Sequence, residues 1–211
     1  MDGANRLGQF KKIDYYMNEK AAKINFFNAY SKRLSIVLES SDWSGVAQLA
    51  DDMRNAWANG RQVFFCGNGG SAGNAVHLAN DFIYGVAKRL GGGIRAVALS
   101  ANPAIITCLA NDVGYDHIFS EQLAVLASED DVLVALSGSG NSPNILRALH
   151  QSKMMKVKSY AIVGYDGGAA KHQADVAVHF PIADMQIAED MQLVVGHMLM
   201  QWLHENGVVI N

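Results

Sequence analysis

Five short runs of the chain are apolar almost without interruption: 63–67 (VFFCG), 94–100 (IRAVALS), 131–137 (DVLVALS), 157–164 (VKSYAIVG) and 175–181 (DVAVHFP). A strand that is apolar on both faces must be covered on both. The stretches between the runs carry apolar residues at three- and four-residue spacing, so strand and helix alternate. Alternation of this kind predicts parallel βαβ units. The expected fold class is therefore α/β: a doubly wound, five-stranded parallel sheet with helices before and after it. In such sheets ligands bind outside the carboxyl ends of the strands.

The first sixty residues read as helix. Ile24, Phe27, Tyr30, Leu34 and Val37 form one stripe, and Val46, Leu49, Met53 and Trp57 form a second. Ser41 or Asp42 is placed to cap the second helix, and Gly60 to end it. Residues 186–205 read as a long C-terminal helix. A chain of 211 residues suggests one structural domain. Within it we expect residues 1–60 to be a helical arm packing on the domain and on partner subunits, and residues 61–211 to be the ligand-binding part.

Composition narrows the function classes. Seventeen Lys+Arg against 20 Asp+Glu give a net charge of −3. That balance offers no broad basic surface for nucleic acid. Charged residues are 18%, below the typical ~25%, which hints that partner subunits cover part of the exterior. Cys66 and Cys108 both sit in apolar runs and are expected to be buried free thiols. The opening MDGANRLGQFKK has no apolar stretch of a signal peptide, and no run approaches the ~18 residues of a membrane span. The expectation is a soluble, cytoplasmic protein with no membrane partner.

Two loops carry the chemistry. After the first strand comes Gly67-Asn68-Gly69-Gly70-Ser71, leading into a helix. Glycines let the backbone approach a ligand closely, and the helix start offers unpaired N–H groups and a positive dipole end. After the third strand comes Ser137-Gly138-Ser139-Gly140-Asn141-Ser142, again leading into a helix. Its hydroxyls both donate and accept, which suits a phosphate monoester without a cation. A plain strand–helix turn explains one such loop. Two at strand ends point to a phosphate-bearing ligand.

His77 and Asp81 follow the first loop at i, i+4 spacing and share a helix face. On the last helix His197 lies eight residues after Glu189 and seven after Asp190. Eight residues at ~3.6 per turn differ by only about 80°, so either carboxylate can border one cleft with His197.

At this point the chain resembles a known family. CGNGGSAGNAVHLANDF, LANDVGYDHIFS, DVLVALSGSGNSPNIL, GYDGG and the helix around His197 resemble the sugar isomerase (SIS) domain, a three-layer flavodoxin-like fold. Within it they resemble the sedoheptulose-7-phosphate (phosphoheptose) isomerases.

The resemblance implies a phosphorylated seven-carbon sugar as substrate and enediol-type isomerisation of it to D-glycero-D-manno-heptose 7-phosphate. That product would feed lipopolysaccharide-core or capsule heptose synthesis. It implies a substrate site at Asn68, Gly69, Gly70, Ser71, Asp112, Ser137, Gly138, Ser139 and Ser142, and proton transfer by Asp81 and His197. It also implies a divalent metal, zinc, one per subunit, held by His77, Asp81, Glu189 and His197, and a homotetramer. The chain departs from the family pattern in places. Asp81 replaces the usual Glu and Gly138 a frequent Thr. Glu189 replaces a usual Gln, which makes it a second candidate base. The basic residue usual after the first long helix has no clean match; Lys88 and Arg89 lie slightly further on. Alternatives from the same resemblance are a non-catalytic tetrameric factor that binds a replication initiator, and an isomerase of another phosphosugar.

Overall fold

The computed structural model describes residues 3–88 and 92–208, with side chains from Glu19 onward; Arg89 lies outside the described residues. The chain divides into two compact units, Met1–Ser41 and Asp42–Asn211. The first is a single helix, α1 (Gly3–Ser40). Ile24, Phe26, Phe27 and Ile36 on it are exposed.

The second unit contains helices α2 (Ser44–Ala58), α3 (Gly70–Ile83), α4 (Pro103–Asp112), α5 (Ser120–Leu126), α6 (Pro143–Met154), α7 (Ala170–Gln173) and α8 (Met185–Glu205). Its strands are β1 (Gln62–Gly67), β2 (Arg95–Ala98), β3 (Val132–Ser137), β4 (Lys158–Val163) and β5 (Val176–His179). The five apolar runs are the five strands; β1 begins one residue before its run, and the other four are trimmed at one or both ends. The unit boundary falls before α2, not at residue 60. The reason is burial: Val46, Leu49, Met53 and Trp57 turn inward, and the Tyr160 hydroxyl of β4 donates to Asp52 Oδ2 of α2 at 2.5 Å. The Asp42 carboxylate accepts from the Ser44 N–H at the helix start, and Gly60 follows the helix end with φ +65°.

The sheet is wholly parallel in the order β2-β1-β3-β4-β5. Alternate side chains serve its two faces. Phe64 and Cys66 of β1 join Leu133 and Ala135 of β3 in a core with Phe119, Leu123, Ile145 and Leu149. On the other face Phe65 stacks on Phe82 of α3, with ring centroids 5.6 Å apart. All six residues of β3 are buried, as a central strand covered on both sides requires. Burial pushes the Cys66 thiol up to about 12, so this sulfur is a packing atom. Among the described residues no helix is long and apolar enough to cross a membrane.

Candidate active site

β1 and β3 are spatial neighbours, but the connections that leave them run to opposite sides. The chain therefore opens a crevice at their carboxyl ends. A cleft of about 270 Å3 lies there. Asn68, Gly69, Gly70 and Ser71 line it from the β1 side, Ser137, Gly138, Ser139 and Ser142 from the β3 side, and Met185 and Glu189 from α8. The two loops singled out in the sequence thus form one site.

The serine hydroxyls are arranged as donors. Ser137 Oγ accepts from the Gly140 N–H at 3.1 Å, and Ser139 Oγ from the Asn141 N–H at 3.3 Å. Each keeps its proton to give to a ligand. Ser142 stands at the N-cap of α6 yet makes no capping bond, which leaves its hydroxyl to the cleft. The GYDGG segment braces this loop from behind. The Gly164 N–H donates to Gly138 O (2.9 Å), the Ala170 N–H to Gly140 O (2.9 Å) and the Ala169 N–H to Asn141 Oδ1 (3.0 Å). Gly140, at φ +66°, lies so close to Gly167 O that any side chain would collide with it. At Gly138 the Met185 thioether fills the place a side chain would take. That is the physical counterpart of the missing threonine.

Asp112 does not line the cleft. It ends α4, which follows the edge strand β2 and so starts one strand away from the crevice. Its Oδ2 accepts from the Cys108 thiol at 3.5 Å and its Oδ1 from Asn111 Nδ2 at 2.7 Å. Cys108 is exposed, against the expectation of burial, because α4 turns Ile106, Leu109 and Ala110 toward the core instead. Hydrogen bonding to the Asp112 carboxylate, together with its charge, holds the thiol above its ordinary range. Tyr115, three residues further on, is the one that reaches the site: its hydroxyl donates to Asn68 Oδ1 at 3.1 Å. Asn68 and buried Asn144 also exchange amide hydrogen bonds, both 2.8 Å. Sequence reasoning missed Tyr115 and Asn144, since neither carries a motif spacing of its own.

The second group lies further along α3 and α8. His77 Nε2 and His197 Nε2 are 2.9 Å apart, with ring planes at 82°. Asp81 Oδ2 is 3.3 Å from the first and 3.6 Å from the second. Gly196 makes this meeting possible: a side chain there would run into Leu78 of α3. The His77 and His197 side chains are 47% and 44% exposed, while Asp81 is 18% exposed. The three residues form a group able to hold a metal ion. Tetrahedral ligands at about 2.0–2.1 Å from zinc stand roughly 3.3 Å from one another, and the observed separations bracket that value. The donor chemistry of two imidazoles and a carboxylate also fits.

Glu189, which the resemblance put in a four-ligand set, is not among these three residues. It sits eight residues before His197, about 12 Å up the axis of α8. Its carboxylate lies against Gly70 at the start of α3 instead. The structure therefore puts Asp81, and not Glu189, beside His197. Asp190, the other carboxylate that periodicity allowed, is not in the group either, and unlike Glu189 it does not line the cleft.

The fold and this geometry can be compared with known proteins. A family model described as the SIS domain matches residues 25–164. A phosphoheptose isomerase from Chlorobaculum parvum is 34% identical over 174 residues, 82% of this chain and 83% of that protein. The chain belongs to the phosphoheptose isomerase family of SIS domains. A Burkholderia pseudomallei member is 37% identical over 154 residues, 73% of this chain and 78% of that protein. Solved structures agree. A phosphoheptose isomerase from Francisella tularensis superposes with a TM-score of 0.81 at 28% identity, covering 88% of this chain and 98% of that one. Another from Neisseria gonorrhoeae gives 0.79 at 29% identity with the same coverage. Here α3 and α8 both border the serine-lined cleft and together carry the histidine–carboxylate group.

Proposed function

We propose that the protein interconverts sedoheptulose 7-phosphate and D-glycero-D-manno-heptose 7-phosphate. One relationship carries the reading. α3 and α8 both border the serine-lined cleft and both run on to the acid–base pair: Asp81 lies ten residues, about 15 Å, past Ser71, and His197 lies eight residues, about 12 Å, past Glu189. An extended seven-carbon phosphosugar, with its phosphate at one end and its carbonyl carbons at the other, suits that span.

In the proposed reaction Ser71, Ser139 and Ser142, with the amides at the starts of α3 and α6, hold the phosphate. Asp81 takes a proton from C1 of the ketose while the C2 oxygen gains one, giving the enediol. Asp81 then returns a proton to C2 as the C1 oxygen loses its own, leaving the aldose. His197 moves the proton between the two oxygens. Glu189 lines the phosphate end of the cleft in this reading. His77, Asp81 and His197 would hold one zinc ion per subunit. When bound, zinc would supply Lewis-acid polarisation of a sugar oxygen.

Half-exposed catalytic histidines need cover. Met198 and Trp202 are exposed on α8, and α1 presents its own exposed apolar residues. Both support a homotetramer whose subunits close over the site. Light scattering tests this: a tetramer is expected at micromolar concentration, and a monomer contradicts it. The net charge of −3 offers no broad basic surface for nucleic acid, and among the described residues no helix is long and apolar enough to cross a membrane, which supports a cytoplasmic enzyme without either partner. The direct test of function is turnover of sedoheptulose 7-phosphate by the purified protein; turnover supports the assignment and its absence in a folded protein refutes it.

A further inference from the structure

Gln192 is fully buried in α8, where an amide must find partners or cost stability. Three hydrogen bonds settle which way it points. Glu189 O is a backbone carbonyl and can only accept, so the atom of Asn74 that lies 3.0 Å from it is Nδ2. The same Nδ2 is 2.9 Å from Gln192, so the atom it meets is Oε1. The other end of the amide is then Nε2, and it donates to Ser71 Oγ at 3.0 Å. A hydroxyl both donates and accepts. Because Gln192 supplies the hydrogen bond that Ser71 accepts, the Ser71 proton is left to point elsewhere. Ser71 is itself 4% exposed and lines the cleft.

We propose that Gln192 is a positioning residue that makes Ser71 a committed donor to an anion in the cleft. The proposal rests on the phosphate assignment of that cleft. It also ties α3 to α8 at the level of the ligand, since Asn74 and Ser71 belong to one helix and Gln192 to the other.

The test is a double-mutant cycle on the full chain. Gln192→Glu keeps the shape but replaces the donor with an acceptor, so Ser71 must turn its proton inward. Gln192→Met keeps the length and removes the hydrogen bond. Each is made with Ser71 intact and with Ser71→Ala. The readouts are inorganic phosphate affinity by calorimetry, and KM and kcat for sedoheptulose 7-phosphate. With Ser71 present, Gln192→Glu should weaken phosphate about tenfold or more and Gln192→Met severalfold. The change should fall on KM rather than kcat. With Ser71→Ala, neither substitution should add to the loss. An equal loss in both backgrounds would mean charge repulsion or general damage and would overturn the proposal. Unchanged phosphate affinity in either folded Gln192 variant would overturn it too. If Ser71→Ala alone leaves phosphate affinity intact, the cleft assignment itself fails, and the role of Gln192 with it.

Discussion

His77 and His197, 120 residues apart in the chain, meet nitrogen to nitrogen at 2.9 Å beside the Asp81 carboxylate. At that distance the two Nε2 atoms cannot both carry protons. They share one, or they share a cation. Zinc calorimetry on the apoprotein should therefore give one site per chain, abolished by His77→Ala and by His197→Ala. Asp81→Asn should weaken it more than Glu189→Gln, because the Glu189 carboxylate lies against Gly70. Comparable weakening by both substitutions would instead support the four-ligand set.

Gly196 and Gly73 should respond oppositely to alanine. At Gly196 a methyl group runs into Leu78, so overpacking of about 1–3 kcal/mol is expected. The α3–α8 spacing, and with it His197, should shift enough to depress turnover. Gly73 lies within α3 and has open space around its Cβ position. Alanine there should stabilise by about 1 kcal/mol through helix propensity. Thermal unfolding of the two variants checks both signs.

Much of this was legible in the sequence. The five apolar runs gave the strands, and the two glycine–serine loops gave the two walls of one cleft. The spacing of His77 and Asp81 gave two of the three members of the histidine–carboxylate group. What stayed hidden depends on packing between distant segments. The Gly196–Leu78 contact has no local signature. Nor has the Asn74–Gln192–Ser71 chain, whose members look like ordinary polar helix residues. Asp112 and Glu189 stand elsewhere than beside the residues they were grouped with: Asp112 does not line the cleft, and the Glu189 carboxylate lies at Gly70 rather than beside His197. A motif match or a helical phase places a residue on a face and at a height along its own helix, but it does not say which atoms of other elements stand opposite it. Cys108 was expected inside because its neighbours are apolar, whereas the helix that carries it turns Ile106, Leu109 and Ala110 toward the core and leaves Cys108 exposed.

The Cys108 thiol accordingly offers a probe. The hydrogen bond to Asp112 and its negative charge favour the protonated form. Asp112→Asn removes the charge, so the thiol pKa should fall and the thiolate fraction near pH 8 should rise. Alkylation by iodoacetamide should then be faster than in the wild type at the same pH. Cys66, buried, should remain unlabelled until the protein unfolds. A slower Asp112→Asn reaction would contradict the contact.

Asn144 should matter to both stability and substrate affinity. It is buried and exchanges two amide hydrogen bonds with Asn68. Asn144→Leu strands the Asn68 amide, at a cost of about 1–3 kcal/mol. The β1 loop loses its anchor to α6, so KM should rise more than kcat falls. Denaturant unfolding and steady-state kinetics separate the two effects.

The central claim is that Asp81 and His197 transfer the protons of an aldose–ketose isomerisation. A coupled assay with sedoheptulose 7-phosphate, on wild type, Asp81→Asn, His197→Ala and Glu189→Gln, each with and without added zinc, tests it most directly. Wild type should turn over. Asp81→Asn and His197→Ala should each lose about 10²–10⁴-fold in kcat, with Glu189→Gln affected less. A folded wild-type protein that does not turn over under either condition, or an Asp81→Asn variant with full kcat, would contradict it.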